Sequence, residues 1–190
     1  GSEMCIRDRT GAHPDDEASR LLAKLSLDEG YHVSYINAVR GQGGQNSIGA
    51  ERDDSLGALR TIELLKAMSV LRVDIGWLAD NRDSSINDFG LSKSAEETFG
   101  FWNKEHTIKR MILMVRAYKP DIIIPTFLDV NGQHGHHRAV TRATIEAFDT
   151  SNNKDIYPEI KFEPWKISQI FLPAWGGGGG SYDDEEAPPK

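Results

Sequence analysis

The chain has 190 residues, 38% of them hydrophobic and 27% charged, with a formal net charge of −7. That is enough chain for one domain with a real core. The acidic balance excludes a general nucleic-acid binder, which needs a basic face. The single cysteine, Cys5, excludes an internal disulfide framework and a thiolate metal site. No apolar run approaches the ~18 residues of a membrane-spanning helix.

Residues 1–9, GSEMCIRDR, have neither the apolar stretch of a signal peptide nor the look of a strand. Residues 3–9 back-translate to gag atg tgt ata aga gac agn, which resembles the transposase mosaic end used in sequencing libraries. The expectation is therefore a translated adaptor over 1–9, with the native first strand lost and native sequence from Thr10. Amplification from source DNA across the Arg9–Thr10 junction tests it. Residues 15–28 carry Ala18, Leu21, Leu22 and Leu25 at helical spacing and stop at Gly30. Residues 31–39 alternate as a strand, and 41–49 hold four glycines and form a loop. Leu56, Leu59, Ile62, Leu65 and Met68 give an amphipathic helix over 52–69, followed by a strand at 73–78 and an irregular polar stretch at 80–93. A helix at 107–118 precedes a short apolar run at 121–126, which reads as a buried parallel strand. A helix at 135–148 and a strand at 167–172 complete the pattern. Alternating strands and helices predict an α/β, Rossmann-like three-layer fold with a mostly parallel sheet over 10–175. Residues 176–190, five glycines and an acidic tail, read as a hinge and appendage, and both ends of the chain read as cut.

Two short segments concentrate the metal-capable side chains. They are Ala12-His13-Pro14-Asp15-Asp16-Glu17 and Gln133-His134-Gly135-His136-His137-Arg138. Each stands where a strand hands over to a helix, so both belong to one edge of a parallel sheet, where ligands bind. His13 and Asp16 flank a Pro14 turn that starts a helix, and can face one ion, with His137 as a third ligand. Three N/O ligands plus water is the open geometry of catalytic zinc. Asp15 beside it suits a general base. His134, three residues before His137, can stabilise an oxyanion or protonate a leaving amine. Taken alone, the acidic triplet fits a favourable first helical turn and the histidines fit a surface loop. Their coincidence at corresponding strand ends favours the metal site.

A-H-P-D-D-E followed by H-x-x-H resembles the PIG-L/LmbE family of zinc-dependent N-acetylglucosaminyl deacetylases, over most of residues 10–150. The resemblance implies an LmbE-like fold and removal of an N-acetyl group from a GlcNAc-containing glycoside. The partner it implies is a small acetylated amino-sugar glycoside. It also implies one Zn2+ per chain on His13, Asp16 and His137. Asp15 would be the general base and His134 the histidine beside the tetrahedral intermediate. Arg60 resembles the family's helix arginine that contacts the sugar or its aglycone, and Glu63 is expected to tie that helix to its loop. Iron(II) also occupies His/His/Asp sites.

The sequence departs from the family at two places. Gly132 stands where some relatives carry a catalytic tyrosine. His136 replaces the usual Asp and is expected either behind the ligands or exposed. Gly41-Gln42-Gly43-Gly44-Gln45-Asn46 lacks the third glycine of a dinucleotide fingerprint. It is read instead as a loop approaching the sugar, with Arg40 and Asn46 as polar contacts. Asp83 and Asp88 are expected on another wall of the pocket, and Trp77, Phe101 and Trp102 in the core. No Gly-x-Ser-x-Gly elbow supports serine hydrolysis. Two further readings share the fold and metal: an amidohydrolase acting on a non-sugar acyl amide, and a non-catalytic carbohydrate-binding domain. Retention of Asp15, which metal binding alone does not need, speaks against the second.

Overall fold

The computed structural model describes residues 5–79 and 85–174. Asp83, residues 176–190 and Gly1–Met4 lie outside them. Five strands form one parallel sheet in the order β3-β2-β1-β4-β5. They are β1 (Ile6–Gly11), β2 (His32–Asn37), β3 (Asp74–Trp77), β4 (Ile122–Pro125) and β5 (Gln169–Ile170). The helices are α1 (Ser19–Ala23), which runs into a π-helical turn (Lys24–Asp28), α2 (Asp53–Leu71), α3 (Ala95–Trp102), α4 (Lys104–Tyr118) and α5 (Gly135–Thr150).

Strand alternation divides the core into two layers. Val33 and Tyr35 of β2 pack with Leu22, Leu25, Leu64 and Met68 from the α1–α2 side. Ile36 and Ile123 pack with Trp102, Met111, Val115, Ala139 and Ala143 from α3, α4 and α5 on the other. The three-layer α/β architecture expected from the sequence is therefore observed. Arg116 is buried within it and donates to the carbonyls of Ser151, Asn153, Ile156 and Tyr157, fastening the segment after α5.

Several expectations are corrected. Residues 6–9, which do not read as a strand, form with Thr10 and Gly11 the central strand of the sheet, in register with β2 on one edge and β4 on the other. A slot between two parallel strands offers backbone hydrogen bonds on both sides whatever the side chains are. The consequence is that Asp8 and Arg9 are buried there, and neither Asp8 oxygen nor Arg9 Nε finds a hydrogen-bond partner. Arg7 lays its guanidinium over the Tyr31 ring, 3.8 Å from its centroid, but its Nε is likewise buried without a hydrogen-bond partner. Burial pushes the Asp8 carboxyl up to about 8.

The first helix begins at Ser19, not at Asp15. The Asp16 side chain turns back to accept the backbone N–H groups of Ala12 (3.1 Å) and His13 (2.7 Å), which holds residues 12–18 as a loop. On α2, Leu56, Leu64 and Met68 are buried while Ile62 and Leu65 face outward, so the apolar spacing read from the sequence spans more than the core face. Helix α3 was not anticipated. It is capped by the Ser94 hydroxyl accepting from Glu97 N–H. Phe101 is exposed rather than core, and Trp102 is fully buried.

Candidate metal centre and its cleft

The sheet order reverses between β1 and β4, and in open parallel sheets the crevice beyond the carboxyl ends at such a point takes the ligand. The loop leaving β1 carries His13, Asp15 and Asp16. The loop leaving β4 runs into α5, whose first turn carries His136 and His137. Gly11 closes β1 because a Cβ there would stand 2.1 Å from the Tyr35 hydroxyl. That hydroxyl donates to the His13 carbonyl (3.0 Å) and so fixes the loop on the sheet. Gly135 allows α5 to start close to the segment before α3, since a Cβ would stand 2.1 Å from Ser92 Oγ and 2.5 Å from the Ser94 carbonyl oxygen.

His13, Asp16 and His137 meet. His13 Nδ1 lies 3.0 Å from His137 Nε2 and 3.3 Å from Asp16 Oδ2, and Asp16 Oδ2 lies 3.3 Å from His137 Nε2. Donors about 2.0–2.1 Å from a tetrahedral ion stand about 3.3 Å apart, so the triangle has the size that zinc needs. The donors are also oriented. Nδ1 of His137 donates to Gln133 Oε1 (2.8 Å), leaving Nε2 for an ion, and Phe127 stacks on the ring at 4.1 Å. Burial would raise the Asp16 carboxyl, but His137 and His13 together hold it well below the ordinary carboxylate range. Burial disfavours the charged form of His13, yet the Asp16 partnership outweighs it and raises the imidazole.

A cleft of about 540 Å³ opens over these donors. Asp15, Arg60, Asp88, His134 and the glycine loop at Gly43, Gly44 and Gln45 line it with them. Asp15 is largely exposed, and its Oδ1 accepts from Arg60 Nη2 (2.7 Å). His134 caps α5 by accepting the His136 N–H at Nδ1 (3.3 Å), while its Nε2 lies 3.1 Å from the Gly90 carbonyl. Burial, then the neighbouring His13 and His137, lower its pKa, which favours the neutral ring.

Not every expected contact is brought to the cleft. Arg40 lies over the Trp77 ring, 3.5 Å from its centroid, and borders two other depressions. Asn46 accepts the N–H groups of Ile48 and Gly49 and donates to Glu51, closing its own loop. Neither lines the cleft, because in each case a nearer partner takes the side chain. Glu63 is exposed on α2. Asp88 does line the cleft as expected, and is buried. Gln133 was missed, although its position four residues before His137 across a helix start is a signal for side-chain pairing. His136 is fully buried, not exposed: its ring stacks on Trp102, and burial together with the surrounding imidazoles pushes its pKa down to about 2.

The sequence profile described as PIG-L: GlcNAc-PI de-N-acetylase matches residues 10–148, which hold both motifs and every donor of the centre. The chain belongs to the PIG-L family. Among curated members, it is 26% identical over 179 residues to 1D-myo-inositol 2-acetamido-2-deoxy-alpha-D-glucopyranoside deacetylase 1 of Catenulispora acidiphila, covering 86% of this chain and 54% of that one. This PIG-L chain thus spans about half the length of the curated relatives it matches. Among solved structures, it superposes on the N,N'-diacetylchitobiose deacetylase of Pyrococcus horikoshii with a TM-score of 0.63 at 22% identity, over 89% of this chain and 60% of that one. It superposes equally well on GalB, the 4-carboxy-2-hydroxymuconate hydratase of Pseudomonas putida KT2440, with a TM-score of 0.62 at 16% identity, over 84% of this chain and 62% of that one. At these identities the structural likeness establishes the PIG-L fold, and the chemistry must be argued from the side chains.

Proposed function

We propose that the chain is a zinc-dependent N-deacetylase that hydrolyses the acetamido group of a GlcNAc-containing glycoside. The observation that carries this reading is the triangle of His13 Nδ1, Asp16 Oδ2 and His137 Nε2, 3.0–3.3 Å on each side, at the floor of a cleft whose rim holds Asp15. A zinc ion on these three donors would keep a position open for water and substrate, acidify that water toward ~7 and polarise the acetyl carbonyl.

The protein's own groups supply the rest. Asp15 takes the proton of the attacking water as general base. Arg60 holds it through Oδ1, leaving the other oxygen for that proton. His134 also borders the cleft and stabilises the developing oxyanion, or passes a proton to the departing amine. Arg60, Gly43, Gly44 and Gln45 would form the sugar side of the cleft, while Arg40 and Asn46 are engaged elsewhere. Iron(II) suits the same donors, since two histidines and one carboxylate form a site that it also takes.

The relatives' names point to the sugar. The test compares zinc-loaded protein on 1D-myo-inositol 2-acetamido-2-deoxy-α-D-glucopyranoside, on N,N'-diacetylchitobiose and on acyl amides without a sugar, following acetate and free amine. Deacetylation of at least one amino-sugar glycoside, well above the sugar-free amides, supports the reading. Preference for the sugar-free amides would make it an amidohydrolase of another substrate class, and no hydrolysis with zinc bound would leave a binding domain.

A further inference from the structure

The triangle uses one nitrogen of His13. The other, Nε2, lies 3.1 Å from Nδ1 of His136. His136 is fully enclosed, stacked on Trp102 with ring centroids 4.9 Å apart and edge-on to Phe89 at 4.5 Å. The carboxylate nearest that nitrogen is Asp88, whose Oδ1 is 3.8 Å away, beyond hydrogen-bond reach. A neutral imidazole carries one ring proton. When His13 presents the Nδ1 lone pair to an ion, its proton must sit on Nε2, and the acceptor facing that proton is His136 Nδ1.

We propose that His136 is a positioning residue. Its Nδ1 accepts the Nε2–H of His13, selecting the tautomer that frees His13 Nδ1 for the metal and fixing the direction of that ring. His136 is accordingly protonated at Nε2 and bare at Nδ1. Gln133 does the same for His137 from the other side, so the single turn at the start of α5 contributes one ligand and orients both imidazoles. A second ion among His13, His134 and His136 is disfavoured, because His13 would have to surrender both ring protons. The proposal rests on the metal centre put forward above, and not on the identity of the substrate.

The experiment is a zinc competition titration against a chromophoric chelator for the parent protein, His136→Phe and His136→Asn, with thermal melts of each metal-free form. Phe keeps a ring against Trp102 but has no acceptor; Asn places an amide oxygen near the lost Nδ1. His136→Phe is expected to weaken zinc binding about 10- to 100-fold, the usual effect of losing such a partner. His136→Asn is expected to recover most of that loss, and the visible spectrum of the cobalt(II) form should shift in the Phe variant but not in the Asn variant. Equal zinc affinity in parent and His136→Phe overturns the proposal. So does a second zinc equivalent in the parent that disappears in His136→Phe. Should the Phe variant fail to fold, nitrogen-15 spectra of the zinc-loaded parent decide alone: a His136 ring protonated at Nδ1 contradicts the assignment. A parent that binds no zinc removes the metal reading itself and this inference with it, an outcome distinct from loss confined to the variants.

Discussion

Arg60 ties Asp15 to the glycine loop: its Nη2 donates to Asp15 Oδ1 at 2.7 Å and its Nη1 to the Gly41 carbonyl at 2.9 Å. A Cβ on Gly41 or Gly44 would stand within 2.6 Å of the same guanidinium. The loop wraps the arginine, and Gly41 sits at φ +79°, where a side chain is strained. The arginine expected to touch the sugar thus first positions the carboxylate. Arg60→Ala should lower kcat about ten- to a hundredfold through misplacement of Asp15, with zinc content unchanged. His137→Ala should instead abolish both zinc binding and turnover. Metal analysis beside the kinetics separates the two.

Asp8 is a stability defect that can be read out by pH. Its carboxyl is buried at the sheet centre with no cationic partner, and its folded-state value of about 8 lies far above that of an unfolded chain. The folded state therefore holds a proton that the unfolded state gives up, and the parent loses stability as pH rises from about 4 to about 8. Asp8→Val removes that dependence and suits a parallel strand. The variant should be the more stable at pH 8, and its advantage should grow by roughly 4 kcal/mol between pH 5 and pH 8, at about 1.4 kcal/mol per unit. Paired denaturant titrations at the two pH values measure it; a pH-independent difference would contradict the burial argument.

Gly135→Ala tests the closeness of α5 to the segment before α3. The new methyl would meet the Ser94 carbonyl, a backbone atom that cannot rotate aside. A loss of about 1–3 kcal/mol is expected, as for other overpacked positions. Zinc affinity should fall with it, because the same helical turn sets His136 and His137. Thermal melts and a zinc titration on one preparation show whether the two losses go together.

The cluster of His13, Asp16 and His137 was legible because its members lie in two short segments. His13 and Asp16 sit across one turn, His137 follows the next buried strand, and strand order alone brings the two together. The apolar run at Ile122–Pro125 and the periodic helices α4 and α5 were legible for the same reason: burial wrote their pattern. Residues 6–9 were not, since their place in the sheet is fixed by neighbours on both edges and contradicts their own side chains. The fates of Arg40 and Asn46 were decided by Trp77 and Glu51, contacts that no spacing rule anticipates. His136 was ambiguous because its partner, His13, is 123 residues away.

Zinc-dependent deacetylation is tested most directly by acetate release during a zinc titration of the metal-free protein, run in parallel on the parent and on Asp15→Asn with a GlcNAc glycoside as substrate. The parent should gain activity in proportion to zinc and saturate at one equivalent. Asp15→Asn should bind the same equivalent yet turn over about 10²- to 10⁴-fold more slowly, as befits loss of the general base. Acetate release that persists in the metal-free parent, or Asp15→Asn protein as active as the parent, would contradict it.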